Sequence, residues 1–171
     1  IYGLVQKVLL KNYIEDSNDP TRDVVKLTNH MLTFIQKKED MVTRANHIAE
    51  LKGEIEKDGI PFLYIQAPYK VRDNTDLPTG VIDYANENAD TLLNRLQEQQ
   101  VTTVDLRNDF KEMPIEEEYF VTDHHWKIET AFQAVNHISE ILNTQYNFHI
   151  DNFYADIQHY NKILQNNAYL G

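Results

Sequence analysis

The sequence predicts an α/β domain of three layers, a mostly parallel sheet flanked by helices, incomplete at the C-terminus and preceded by a small N-terminal β-hairpin. Three observations carry this expectation. A periodic helix over about Met41–Asp58 stops at Gly59 and is followed by the unbroken apolar run Phe62–Ile65, the pattern of a strand covered on both faces. A second periodic helix, from Asp83 or Tyr84 to about Gln99, leads into a second strand-like run, Val101–Leu106. A third run, Tyr119–Val121, precedes a third helix. Right-handed crossovers between such units make the strands parallel.

Length and composition bound the rest. At 171 residues, a single domain spanning 1–171 with a substantial core is expected. The net charge of −11 excludes a general nucleic-acid binder, which needs a basic stripe. The absence of cysteine excludes disulfides, thiolate zinc sites and cysteine nucleophiles. No apolar run approaches the roughly 18 residues of a membrane span. The chain begins at Ile1 rather than Met and carries no basic-then-apolar leader, so it reads as a piece of a longer protein. The acidic run Glu116–Glu118 reads as a solvated loop.

In chain order, apolar residues at 1, 4, 5, 8 and 9 predict a short helix over Ile1–Asn12, and Glu15–Arg22 a polar loop. Val24, Val25 and Leu27 lead into a turn at Thr28-Asn29-His30, and Met31–Ile35 leads out, a hairpin pattern. Asp40 is placed to cap the first long helix, whose stripe is Met41, Ala45, Ile48, Leu51 (or the stem of Lys52) and Ile55. Gly59 supplies a left-handed residue at its end. Pro68–Gly80 is a loop with Lys70 and Arg72. The second helix turns Ala85, Ala89, Leu92, Leu93 and Leu96 inward. Asn108–Glu118 is a loop. The helix after Trp126 presents Ile128, Ala131, Phe132, Val135, Ile138 and Leu142 on one face. Asp151 caps a final helix carrying Phe153, Ile157, Tyr160 and Leu164.

In open parallel sheets the reactive crevice lies beyond the carboxyl ends of the strands. That rule places Thr122–Trp126 and Lys70 on one edge. In an extended segment, residues two apart share a side, so Asp123 and His125 face one way and His124 and Trp126 the other. An aspartate accepting Nδ1–H fixes the tautomer of a histidine and makes it a general base. At even odds with this stands a structural role: Asp123 capping the next helix, with the histidines as packers. Metal ligation by Asp123, His124 and His125, helped by Asp105 or Asp109, is disfavoured because adjacent histidines on an extended segment diverge. A third alternative is a glycan-binding module using tyrosines such as Tyr154, Tyr160 and Tyr169.

The stretch Asp123-His124-His125-Trp126, downstream of Thr103-Val104-Asp105-Leu106-Arg107, resembles the bacterial family named for its DHHW motif and, more broadly, the SGNH-hydrolase-like proteins of the alginate O-acetylation type. Gly59-Ile60-Pro61, Ala67-Pro68-Tyr69-Lys70 and Leu77-Pro78 fit the same pattern, so the likeness covers most of the chain. Relatives often carry Glu-Gly-Ala after the tryptophan, whereas this chain has Glu129-Thr130-Ala131.

The resemblance implies a flavodoxin-like topology and a serine-dependent esterase or O-acyltransferase acting on a polysaccharide or other glycan. Its expected place is outside the cytoplasmic membrane, in a membrane-anchored complex reached through segments absent here. Asp123 and His125 take the catalytic places, and Trp126, Lys70 and His124 become substrate-facing candidates. No cofactor and no metal is called for. The relatives' nucleophile sits in a later Gly-Asp-Ser turn, which this sequence lacks. Asp16-Ser17 reads as a loop turn and Ser139 as helix interior, so the serine is expected outside these 171 residues and the fragment alone to be inactive.

Overall fold

The computed structural model describes residues 11–15, 23–161 and 163. The chain divides into two units, Ile1–Arg107 and Asn108–Gly171. The helix expected over Ile1–Asn12, the loop residues 16–22, Leu164 and Tyr169 lie wholly or largely outside the described residues.

The first unit opens with a three-stranded antiparallel sheet, β1 (Tyr13–Ile14), β2 (Val24–Lys26) and β3 (Leu32–Phe34), in that order. The hairpin forms where the turn residues placed it: Val25 pairs with Thr33, and His30 takes a left-handed φ of 71° in the turn. β1 was not legible, because a two-residue strand carries no periodicity. Helix α1 (Met41–Glu56) starts where Asp40 accepts from the amides of Val42 and Thr43, at 3.0 and 3.1 Å. Beyond its end, Gly59 adopts φ +73° and donates to the Glu56 carbonyl. Lys52, not Leu51, joins the inward stripe, and Leu51 is exposed.

α1 packs against helix α2 (Ala85–Glu98) through Met41, Ala45, Leu92, Leu96 and Val101, with Phe62 and Tyr64 alongside. The five apolar residues expected to face inward on α2 are all buried. Buried polar groups tie the entry segment down. Asp83 accepts from the amides of Gln36 (2.7 Å) and Ala85 (2.9 Å), and Asn88 bonds both Glu39 N and Lys37 O. Strands β4 (Tyr64–Gln66) and β5 (Thr103–Asp105) pair in parallel, Ile65 opposite Val104. The helix–strand–helix–strand reading therefore holds.

The expected third parallel strand does not form. Tyr119 makes a single antiparallel bridge, to Trp126 in the same loop, because the chain folds back at once and its backbone groups are satisfied locally. Among the described residues the parallel sheet is thus one pair of strands beside a separate antiparallel sheet, rather than a continuous three-layer sheet.

In the second unit, the expected loop over Asn108–Glu118 instead holds two single-turn helices, α3 (Arg107–Phe110, beginning at the last residue of the first unit) and α4 (Ile115–Glu118). Glu118 is fully buried while Glu116 and Glu117 are exposed, so the acidic run is not a uniformly solvated loop. Helix α5 (Ile128–Gln145) follows, rotated from its expected face. Thr130, Ala134 and Ser139 are buried, whereas Ile128 and Val135 are nearly half exposed. The final α-helix is replaced by two 3-10 turns, Asn152–Ala155 and Ile157–His159. Asp151 caps the first as expected, but Asp156 accepts from Gln158 N and restarts the chain, since short acidic side chains compete for backbone amides.

Candidate active site

Residues 118–127 form a narrow loop closed by two rungs. Lys127 N donates to Glu118 O at 2.8 Å and Phe120 N to His125 O at 3.3 Å, leaving Val121–His124 at the tip. Three side-chain contacts fix its base. The Thr130 hydroxyl donates to Glu118 O at 3.2 Å, Lys127 Nζ donates to the carbonyl of Glu116, and the Trp126 ring lies 5.9 Å from that of Phe110, tilted by 43°.

At the tip, Asp123 is 7% exposed. Its Oδ1 accepts from the His125 amide at 3.1 Å and lies 2.6 Å from His125 Nδ1. Burial works to raise the Asp123 pKa. The amide and ring hydrogen bonds from His125, with the nearby imidazoles, outweigh it and hold the carboxyl below the usual carboxylate range. An ionised carboxylate can only accept, so His125 Nδ1 carries the proton, and Nε2 of the neutral ring is left with a lone pair. The imidazole is 68% exposed. A buried carboxylate orients an accessible imidazole.

The helix-cap alternative does not describe this loop. Lys127 occupies the cap position of α5 with no side-chain capping bond, and Asp123 turns Oδ1 to His125. The expectation that His124 faces away from the pair is also overturned. His124 Nδ1 stands 3.3 Å from the same oxygen, and its ring lies 4.1 Å from that of His125. Two-residue alternation needs extended backbone, and this tip is bent. The argument that adjacent histidines diverge, and so disfavour a metal, fails with it.

The structure brings Asp123, His124 and His125 together, while Trp126 packs against Phe110 at the base of the loop. Lys70 belongs to the first unit, where it is buried and its Nζ donates to Leu32 O at 2.8 Å. Asp105, weighed as a metal ligand, is held by Arg107 through paired contacts of 2.9 and 2.7 Å; Arg107 also reaches Asp90 at 2.7 Å. Asp109 lies 3.6 Å from His137. A cavity of about 620 Å³ lies beside the loop, lined by Met113, Phe120, Lys127, Ile128 and Gln133 among others. Sequence reasoning missed Glu118 as a site-supporting residue. The available signal was the Pro114-Ile115 helix start, which sets Ile115 and Glu118 one turn apart.

Residues 27–155, well over half of the chain, match the family model described as SGNH hydrolase-like domain, acetyltransferase AlgX. The chain belongs to this family. Two structures of Bacillus cereus PatB1 are similar to it. The one with a sulfonyl adduct has a TM-score of 0.59 at 24% identity, over 72% of this chain and 44% of that one. The other has 0.59 at 22%, over 82% and 45%. Pseudomonas aeruginosa AlgX gives 0.52 at 20%, over 72% and 32%. At these identities the likeness establishes the fold, an SGNH-hydrolase-like α/β arrangement. The chain spans less than half the length of each of these proteins. No curated protein matches it.

Proposed function

We propose that this chain carries the acid–base half of the active site of a bacterial cell-envelope enzyme of the Asp-His-His-Trp type, an O-acetyltransferase or esterase acting on glycan hydroxyls. The observation that carries the reading is the 2.6 Å contact between a buried, ionised Asp123 and the exposed ring of His125, in a chain of the acetyltransferase AlgX family. His125 Nε2 takes the proton of the attacking hydroxyl and returns it to the leaving oxygen. Asp123 keeps Nδ1 protonated and stabilises the imidazolium that forms. Trp126 braces the loop against Phe110 and borders the substrate, and the cavity beside Phe120 receives a sugar ring on its apolar wall. His124 lines the approach to the base.

The nucleophile is a serine elsewhere in the whole protein, and the chain by itself is inactive. Ser139 is buried inside α5, about 16 Å along the axis from Ile128 at 1.5 Å per residue, and Ser17 lies outside the described residues. The whole protein works on a polysaccharide outside the cytoplasmic membrane, within a membrane-anchored complex. Among the described residues no helix is long and apolar enough to cross a membrane.

Ester hydrolysis and acetyl transfer by the full-length protein test this. His125→Ala is expected to lower kcat by about 10⁶ and Asp123→Asn by about 10⁴, the losses typical of removing the base and the acid of such a triad. Undiminished turnover in His125→Ala retires the reading. A non-catalytic glycan-binding role is favoured by one observation: Phe153, Tyr154 and Tyr160 are 48%, 63% and 47% exposed. Under that reading, glycan affinity survives His125→Ala and falls on Tyr154→Ala.

A further inference from the structure

Asp123, His124 and His125 each offer one ligand atom, and all three atoms lie within 4.8 Å of one another. A tetrahedral ion with bonds of about 2.0–2.1 Å holds its ligand atoms roughly 3.4 Å apart. His124 Nδ1 already stands 3.3 Å from Asp123 Oδ1. His125 Nδ1, at 2.6 Å, has to withdraw by under about 1 Å to reach that spacing. The Asp123 carboxylate is held in place by the His125 amide, and the two rings are 54% and 68% exposed, so an ion reaches them from solvent. Two imidazoles and one carboxylate make the donor set of zinc and its transition-metal neighbours, not the all-oxygen set of calcium or magnesium.

We propose that this tripeptide is a divalent transition-metal site, best matched to zinc, and that its occupancy switches the acid–base pair off. Metal binding stands on the geometry alone; the switch rests on the catalytic reading given above. In the active pair the His125 proton is on Nδ1 and the lone pair on Nε2. An ion at Nδ1 takes the lone pair there, so the Nδ1–H bond breaks and an Nε2–H bond forms through solvent. The ring stays neutral, and no electron or net proton is gained or lost. Asp123 Oδ1 exchanges its ring hydrogen bond for a metal bond. Nε2 becomes a donor and no longer accepts the proton of a hydroxyl, so the base is disabled although no residue has changed. His124 is what adds this property to the Asp–His pair, since two ligands alone hold zinc weakly.

Isothermal titration of the untagged chain with zinc chloride, beside calcium and magnesium chloride, tests the site. One zinc per chain with a micromolar dissociation constant is expected, with no heat from the other two ions. His124→Ala and His124→Gln are expected to weaken zinc binding by at least about tenfold. His47→Gln, at an exposed position on α1, leaves it unchanged. Long-range ¹H–¹⁵N spectra of the zinc-loaded chain are expected to show the His125 proton on Nε2. Absence of zinc binding, affinity indifferent to both His124 variants, or an Nε2 that stays unprotonated overturns the proposal. In the full-length protein, zinc is expected to abolish turnover and a chelator to restore it; zinc bound with turnover intact overturns the switch. Failure of the catalytic reading is separately visible as full activity in His125→Ala with zinc binding in the wild-type chain undisturbed.

Discussion

Replacing Thr130 by glycine is expected to destabilise this chain. Thr130 is 1% exposed in the first turn of α5. Its hydroxyl donates to Glu118 O at 3.2 Å and lies 4.0 Å from Met113 Sδ. Glycine removes that hydrogen bond, worth about 1 kcal/mol, and the buried methyl, worth about 0.8 kcal/mol. It also loosens the helical backbone by about 0.5–1 kcal/mol. The sum is about 2–3 kcal/mol. Two partial changes divide it. Thr130→Val keeps the shape and loses the hydroxyl; it is expected to cost about 0.5–1 kcal/mol, because Lys127 N still satisfies the Glu118 carbonyl. Thr130→Ser keeps the hydroxyl and is expected to cost about 1 kcal/mol. Urea unfolding followed by the fluorescence of Trp126, the single tryptophan, reads the second unit directly. A Thr130→Gly protein as stable as wild type, or a Thr130→Val protein as damaged as Thr130→Gly, would refute the reasoning.

Three further outcomes are expected. In carboxyl ¹³C titrations, Asp123 has its midpoint below the ordinary carboxylate value and Asp83 above it, the latter because burial outweighs its two amide hydrogen bonds. Their linkage to stability therefore has opposite signs. The Asp123 contribution is present above the unfolded-state pKa and is lost as pH falls through the lower folded value. The Asp83 contribution is full below the unfolded-state pKa and is lost as pH rises through the higher folded value. Leu96→Ala, at a position with no exposure in the α1–α2 core, costs about 3–4 kcal/mol by chemical denaturation followed by circular dichroism. In double-mutant cycles, Arg107→Ala couples to Asp105→Ala by about 1–2 kcal/mol. Its coupling to Asp90→Ala is under about 0.5 kcal/mol, because the Asp90 side chain is 64% exposed.

What could be read from the sequence was whatever repeats or punctuates. Helices α1 and α2 show 3.6-residue periodicity, Asp40 and Gly59 mark the ends of α1, and the Phe62–Ile65 run announces a parallel strand, which forms over Tyr64–Gln66 with Tyr64 and Ile65 half-buried rather than covered on both faces. These features depend on neighbours in the chain, and the structure keeps them. The inward face of α5 depended on partners instead. Thr130 is buried with its hydroxyl on the Glu118 carbonyl and Ser139 is buried as well, while Ile128 and Val135 stay exposed. Hydrophobicity alone ranks those residues the other way. The final helix had ideal spacing but two aspartates able to cap, and capping won. At the candidate site, the contact between Asp123 and His125 was legible from residue type and spacing. The position of His124 was not, because alternation was applied to a segment whose backbone turns back on itself.

The carboxylate and imidazole that meet at the loop tip are only two residues apart in the chain. Triads assembled from distant segments meet only after long loops have closed, and every loosening of the fold pulls them apart. Here the closure entropy of the Asp123–His125 contact is that of a few bonds. Asp123 and His125 therefore stay aligned through fluctuations that disturb the surrounding helices. Damage elsewhere in the protein acts on where the loop points and what reaches it, and leaves intact the alignment of the His125 ring on Asp123.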